Sequence, residues 1–299
     1  MLRVFHEPGR HLRVEQNGVE RLRYEYQLPG DPSPSAPKPF CHPIRTPGGV
    51  EMTALSPGDH PWHRGLWFAW KYVNGVNYWE ENQEIVGRQV TLAPPEIESV
   101  DTDAVRWTSE IAWRDDAEKG VERTRLLERR TITCQAVPDG ALILDWDVTQ
   151  TARQEVTLDR TPFTTWGGYG GLFVRMTQRL HAQRIVLAGG TVTQRPTGES
   201  YRWGAIEGAL EDGSAAAFVF LPSPQNPRGP EEPFYGAARP DWNFFGPAPL
   251  FHEPLRLAAG ETLRHRYRVL VLPRRVDADE ADGYHREQTA RESGTGRAS

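Results

Sequence analysis

The chain has 299 residues, 38% hydrophobic and 25% charged, which supplies apolar material for a large core and excludes wholesale disorder. Its 35 Lys and Arg against 40 Asp and Glu leave a net charge of -5 with no basic block, which argues against a nucleic-acid groove or an anionic membrane surface as partner. No stretch approaches the ~18 consecutive apolar residues of a membrane span. The segment MLRVFHEPGRHLRVEQ lacks the apolar centre of a secretory signal, so a soluble, cytoplasmic protein is expected. Cys41 and Cys134 make neither a disulfide framework nor a CxxC metal knuckle.

Strand patterns recur along the chain. Apolar β-type runs at Leu12 to Val14 and Leu22 to Tyr26 come first. Val105, Trp107, Ser109, Ile111 and Trp113 then alternate with their neighbours, as do Leu142, Leu144, Trp146 and Val148. Short runs follow at Ile185 to Leu187 and Ala217 to Leu221. Leu263, His265, Tyr267, Val269 and Val271 form one face opposite Arg264, Arg266 and Arg268. Such period-two patterns put one face on a core. Turn signals at Pro29-Gly30, Pro138-Asp139-Gly140, Gly189-Gly190 and Asp212-Gly213 separate the runs. Gly30 to Pro39 and Pro222 to Pro233 read as Pro-rich loops, and Val276 to Ser293 as a helix followed by a frayed tail. Many strands without intervening helices predict an all-β fold: a large twisted antiparallel sandwich over residues 1–275, with a short C-terminal helix and tail over 276–299.

Chemistry concentrates in Ser56 to Glu81, which holds Asp59, His60, His63, Arg64, four tryptophans (Trp62, Trp67, Trp70, Trp79), Glu80 and Glu81. Histidine, arginine and carboxylate together can donate, accept and transfer protons near neutral pH. Tryptophan faces suit the C–H face of a sugar ring and equally well fill cores. Pro61 between the histidines places them in a loop that enters a strand at Leu66 to Trp70. Arg160 to Gly171 packs four glycines around Tyr169, as a bulged strand with a tight turn or as a loop lining a ligand. Trp242 to Pro254 carries His252 and Glu253 beside aromatics, a plausible setting for a general base. His42 is a further candidate that would approach the same site from a neighbouring strand.

Two resemblances rest on these residues. His60-Pro61-Trp62-His63-Arg64-Gly65-Leu66 followed by Asn74-Gly75-Val76-Asn77-Tyr78-Trp79 resembles the signature of the bacterial PmoA family. The match extends to His42-Pro43, Gly167 to Gly171 and His252-Glu253-Pro254, covering about Arg21 to Leu272. Trp62 stands where that family's pattern has another histidine. The family's methane-oxygenase label implies membrane-spanning helices, which this sequence does not supply. More distantly, the chain is similar to aldose 1-epimerases, with their His-x-x-His-Gly-Gly loop, late Glu base, Pro-Gly-Glu turn and Tyr-bearing strand. His60 to Gly65, Glu253, Gly260-Glu261 and Tyr267 follow that order, with Arg64 in place of the first glycine and no counterpart for the second catalytic histidine.

That resemblance implies a mutarotase-like sandwich and a carbohydrate-active enzyme working on a small-molecule sugar or glycoside. His63 or His60 would be the acid, Glu253 the base, and Arg64 would hold a sugar hydroxyl or carboxylate. Trp67, Trp79, Tyr169, His42 and His252 would line the substrate. Epimerisation, cleavage and elimination all stay open, since Asp59, Glu80, Glu81, Asp241 and Glu253 offer carboxylates for each. No cofactor is expected. One alternative is a divalent-metal enzyme in which His42, His60, His63 and His252 converge with Glu253 or Asp59. A non-catalytic sugar-binding module is another.

Overall fold

The alternation in the long strands sorts their side chains between two environments. Leu142, Leu144, Trp146 and Val148 on one strand and Tyr267, Val269 and Val271 on the next all enter one buried cluster. Trp146 lies opposite Ile132 on one side and Tyr267 on the other, so large side chains stack across the sheet. The computed structural model describes residues 1–28, 38–81, 86–116, 121–161 and 167–295. The Pro29-Gly30 turn, most of the first Pro-rich loop, part of Arg160 to Gly171 and the end of the tail lie outside these residues.

Among the described residues the strands form two large antiparallel sheets and a small one. The first sheet runs in the order Leu2–Glu7, His11–Gln16, Val19–Glu25, Phe40–Ile44, Leu66–Ala69, Gly171–Arg175, Trp242–Pro247, Glu232–Arg239, Thr197–Tyr201. The second runs Thr191–Thr193, His181–Leu187, Gly204–Ala209, Ala215–Pro222, Thr262–Leu272, Leu142–Ala152, Arg123–Ala136, Ala104–Asp115, Arg88–Thr91, with Glu96–Val100 pairing beside Ala104–Asp115. A four-stranded sheet joins Leu255–Leu257, Val156–Asp159, Tyr72–Val73 and Val76–Asn77. This is the large antiparallel sandwich that the alternation predicts. The loop expected over Pro222 to Pro233 is shorter than predicted, because Pro222 ends one strand and Glu232 begins another; Trp242–Pro247 is a further strand.

The main core lies between the large sheets, where Phe68, Trp70, Leu172, Val174 and Phe245 meet Trp107, Trp113, Trp146, Phe220 and Val269. A buried polar network crosses it. Glu128 accepts from Trp113 Nε1 (2.7 Å), Gln150 Nε2 (2.9 Å) and Arg130 Nε (2.6 Å). Arg130 also donates to Gln89 Oε1 (3.1 Å), whose own amide donates to Phe68 O (2.9 Å) in the opposite sheet. Every charge there has a partner, which burial at this depth requires.

The C-terminal helix, Ala278–Thr295, covers the outer face of the second sheet, where Trp203, Val219, Leu270 and Ala281 pack together. Asp277 Oδ1 caps its first turn by accepting from the Glu280 N–H (3.0 Å), and Asp282 ties it down through Arg202 and Trp203 Nε1. The outer face of the first sheet is different. Period two sends Leu66 and Phe68 inward but Trp67 and Ala69 outward; it likewise turns Phe173, Tyr235 and Phe244 outward. These residues make a third, aromatic cluster, closed over by Phe40, Trp79 and Phe251 from loops and strand ends.

Candidate functional site

The aromatic cluster on the outer face becomes a site where the Asp59 to Arg64 turn lies on it. His63 N–H donates to His60 O (3.0 Å), closing a turn with Pro61 at the position whose fixed φ suits proline. That turn brings the two imidazoles onto one side, stacked at 4.8 Å between centroids and 24° between planes. His60 also lies against Trp62 and Trp242, and His63 against Trp67, Trp79 and Phe244. The inner ring of the pair is buried and the outer one is part-exposed.

Charges around the pair settle its protons. His60 Nδ1 is 2.8 Å from Asp59 Oδ2, and a carboxylate can only accept, so Nδ1 carries a hydrogen. Arg175, fully buried on the strand Gly171–Arg175, reaches Asp59 Oδ1 at 2.9 Å and His63 Nδ1 at 3.5 Å. A guanidinium has only N–H groups to offer, so His63 Nδ1 is the acceptor and its Nε2 carries the hydrogen. Burial, reinforced by Arg175, holds the His63 imidazole well below its ordinary pKa and therefore neutral. Burial pushes the Asp59 carboxyl up, but its hydrogen bonds from His60 and Arg175 outweigh this and leave it below its ordinary value. The two rings are thus oriented by opposite charges: His60 donates from Nδ1 to Asp59, and His63 accepts from Arg175 at Nδ1 and carries its hydrogen on Nε2.

A second charged group flanks the same wall. Asn77 Oδ1 accepts from the N–H groups of Trp79 (2.9 Å) and Glu80 (3.1 Å), an Asx turn that sets Trp79 into the cluster and Glu80 at its edge. Glu80 accepts from Tyr169 OH (2.7 Å), Asn77 Nδ2 (2.7 Å) and Lys71. Burial raises the Glu80 carboxyl, yet the Lys71 charge and these bonds bring it below its usual range. Arg64 and Lys38 both pair with Glu81, and Lys38 Nζ also donates to Trp79 O (2.7 Å). From His63 through Trp67 and Trp79 to Tyr169 and Tyr235, the rings form one continuous wall.

Gly168 explains part of this placement. A Cβ there would run into the backbone of Phe251, so the glycine lets the Tyr169 segment lie flat on the Phe251 loop. Of the two readings of this glycine run, the described part is irregular chain up to the strand that starts at Gly171.

The structure brings His60, His63, Arg64, Trp67, Trp79 and Tyr169 together on one face. It places the other three predicted residues elsewhere. His42 bonds Thr53 Oγ1 (2.9 Å) and faces Glu51, with burial lowering its pKa to about 4. His252 is exposed, its Nε2 donating to Gly198 O (2.8 Å). The Glu253 side chain is 65% exposed and paired with Arg228 (2.7 Å), because Arg160 grips the carbonyls of Phe251 and His252 and turns the following residues outward. The four histidines therefore do not converge, and among the described residues no group of three or more His, Cys, Asp or Glu forms a metal-ion site. Sequence reasoning missed Arg175, Lys71 and Lys38, and it gave Asp59 no orienting role.

The fold and site together define a β-sandwich protein with an aromatic outer face that carries a stacked histidine pair. The chain belongs to the family described as DUF6807, a family of unknown function, which it matches over residues 11–286. No curated protein matches the sequence. Among solved structures it is similar to the GH36 alpha-galactosidase AgaB from Geobacillus stearothermophilus at 13% identity and a TM-score of 0.46, covering 91% of this chain and 41% of that one. An alpha-galactosidase from Lactobacillus brevis gives 12% identity and 0.41, over 90% of this chain and 39% of that one. A GalM/aldose epimerase homologue from C. elegans gives 6% identity and 0.35, over 92% and 99%. The chain spans about two fifths of the length of the two galactosidases. Among the described residues no helix is long and apolar enough to cross a membrane.

Proposed function

We propose that this protein is a carbohydrate-active isomerase that opens and recloses a reducing sugar at its anomeric carbon, with His60 as the proton shuttle. The observation that carries this reading is the stacked pair in which Asp59 orients one imidazole as a base and Arg175 holds the other as a neutral donor. Half-exposed Trp62, Trp242 and Tyr169 offer ring faces for the C–H surface of a pyranose, with polar groups at their edges.

The step balances within the sugar. His60 Nε2 takes the proton from the anomeric hydroxyl, the C1–O1 bond gains its double-bond character, and the C1–O5 bond breaks. The same imidazolium, stabilised by Asp59, returns the proton to O5. His63 Nε2–H donates to the ring oxygen as charge builds there, which stabilises the transition state without the ring ever giving up its proton. Reclosure on the other face of C1 yields the second anomer.

Glycoside hydrolysis is the poorer fit. It needs one carboxyl protonated as an acid. Asp59, Glu80 and Glu81 are each tied to buried or half-buried cations, and Asp59 and Glu80 are held below their usual range. Glu253 takes no part, since it points away and pairs with Arg228.

The test is proton exchange NMR between the two anomers of a panel of aldoses, ketoses and uronates. Enzyme-accelerated exchange that disappears in His60→Asn supports the proposal. Spontaneous-rate exchange throughout, or acceleration that survives His60→Asn, overturns it.

A further inference from the structure

The donors of this site outnumber its acceptors, and the imbalance points to the charge of the ligand. Lys38 and Arg64 share the single carboxylate of Glu81, while Arg175 has Asp59, with Asp241 also close by, and Lys71 has Glu80. Three buried N–H groups on this face have no hydrogen-bond partner among the described residues: Trp67 Nε1, Trp242 Nε1 and Arg175 Nε. All three are donors that only an acceptor can satisfy.

At the rim stands Arg195. Its guanidinium lies 5.3 Å from the centre of the Trp242 ring and also hydrogen-bonds Tyr235. It forms no ion pair with any described carboxylate, although the chain as a whole carries five more acids than bases. Trp242 is in contact with His60 as well, at 6.0 Å and nearly parallel. An arginine stacked on an aromatic ring has lost part of its freedom already and keeps its planar fork for a carboxylate or phosphate. Two aromatic neighbours hold it, and one of them, Trp242, also touches His60.

We infer that Arg195 is a specificity-determining residue and that the sugar this site takes is anionic, its carboxylate or phosphate held by the Arg195 fork beside Trp242. The inference rests on the proposed sugar chemistry and names its substrate class. A uronate and a sugar phosphate offer the same recognition chemistry at different reach from C1.

The test measures anomeric exchange and binding for glucose, glucuronate, galacturonate and glucose 6-phosphate, with wild type, Arg195→Gln and Arg195→Lys. The expected result is a preference of tenfold or more in kcat/KM for one anionic sugar over glucose. Arg195→Gln abolishes that preference mainly through KM, Arg195→Lys restores it in part, and the preference shrinks as salt rises. The arm that responds, uronate or phosphate, identifies the anion. Equal kcat/KM for glucose and every anionic sugar, or a preference untouched by Arg195→Gln, overturns the inference and leaves the isomerase reading standing. Arg195-dependent binding of an anionic sugar without accelerated exchange overturns the isomerase reading and leaves anion recognition standing.

Discussion

His60 and His63 stack at 4.8 Å while facing opposite charges, Asp59 behind one ring and Arg175 behind the other. Because Asp59 also binds Arg175 (2.8 Å), the two orienting groups are themselves joined, and the four side chains form one closed unit. A change at any member alters which nitrogen carries a proton in the next. His60→Asn is expected to lower kcat by about 10² to 10⁴, the usual contribution of a positioned acid–base group. Asp59→Asn leaves the ring in place but lets the wrong tautomer compete, with a loss on the order of 10². Steady-state anomeric exchange checks both, and circular dichroism confirms that each variant folds. Full activity in Asp59→Asn would show that the dyad is not an acid–base pair.

His63→Gln separates donation from proton shuttling. Glutamine can still present an N–H toward the ring oxygen but cannot titrate. If His63 only donates, this variant keeps a measurable part of kcat, whereas His63→Leu loses on the order of 10² because a preorganised donor is gone. The two variants would fall equally if His63 itself carried a proton.

How much of this could be read from the sequence follows from how local each signal was. The long strands were legible because each buries one whole face: Val105 to Trp113, Leu142 to Val148 and Leu263 to Val271 all enter the core as their alternation predicts. The His60 turn was legible because Pro61 and two histidines make its own local chemistry. Arg175 was not. It ends an apolar run, Leu172 to Val174, and only the strand's register decides that it faces the histidines rather than solvent. Its one signal was a charge in phase with Phe173 on an otherwise apolar strand. His252 and Glu253 misled for the opposite reason, since Phe251 beside them does join the aromatic wall while Arg160 and Arg228 turn their side chains away.

Gly168→Ala tests the link between the glycine run and the site. The added methyl meets Phe251 backbone, which cannot rotate aside, so either the Tyr169 segment or the Phe251 loop must shift. Overpacking of this kind costs about 1–3 kcal/mol. Activity is expected to fall further than stability does, because Tyr169 would lose its 2.7 Å bond to Glu80. A urea midpoint and an exchange rate on the same sample measure both, and an unchanged pair would show that the loop does not position Tyr169.

The network beneath the wall makes a separate prediction about stability. Glu128 and Arg130 are wholly buried and bonded at 2.6 Å, so removing one leaves the other charge without compensation. Glu128→Leu or Arg130→Met is expected to cost about 3–5 kcal/mol, and the double variant less than the sum. Denaturant unfolding of the three variants completes the cycle. Additive losses would mean that Gln89, Gln150 and Trp113 satisfy either charge alone.

Stability should fall as pH drops from neutral toward 4. Burial holds His265 down at about 3 and His42 at about 4, and keeps His63 well below 6.5. Unfolding returns each to its ordinary value, so within these windows the unfolded chain binds more protons, and stability present above 6.5 is lost on acidification. Glu232 acts in the other direction: burial raises it to about 7, so its contribution is complete below its ordinary 4.5 and lost as pH rises through 7. Burial lowers His6, His11 and His285 as well and raises Glu25, so six imidazoles oppose two carboxylates and the net slope favours neutral pH, at roughly 1.4 kcal/mol per pH unit for each net proton. His265 gives the sharpest test, because both of its buried ring nitrogens lack a partner among the described residues. His265→Leu removes two unsatisfied polar atoms and one titrating group together. Its urea midpoint should exceed that of the wild type by more at pH 5 than at pH 8. Parallel pH profiles for the two proteins would mean that His265 is already protonated, or paired, in the folded state.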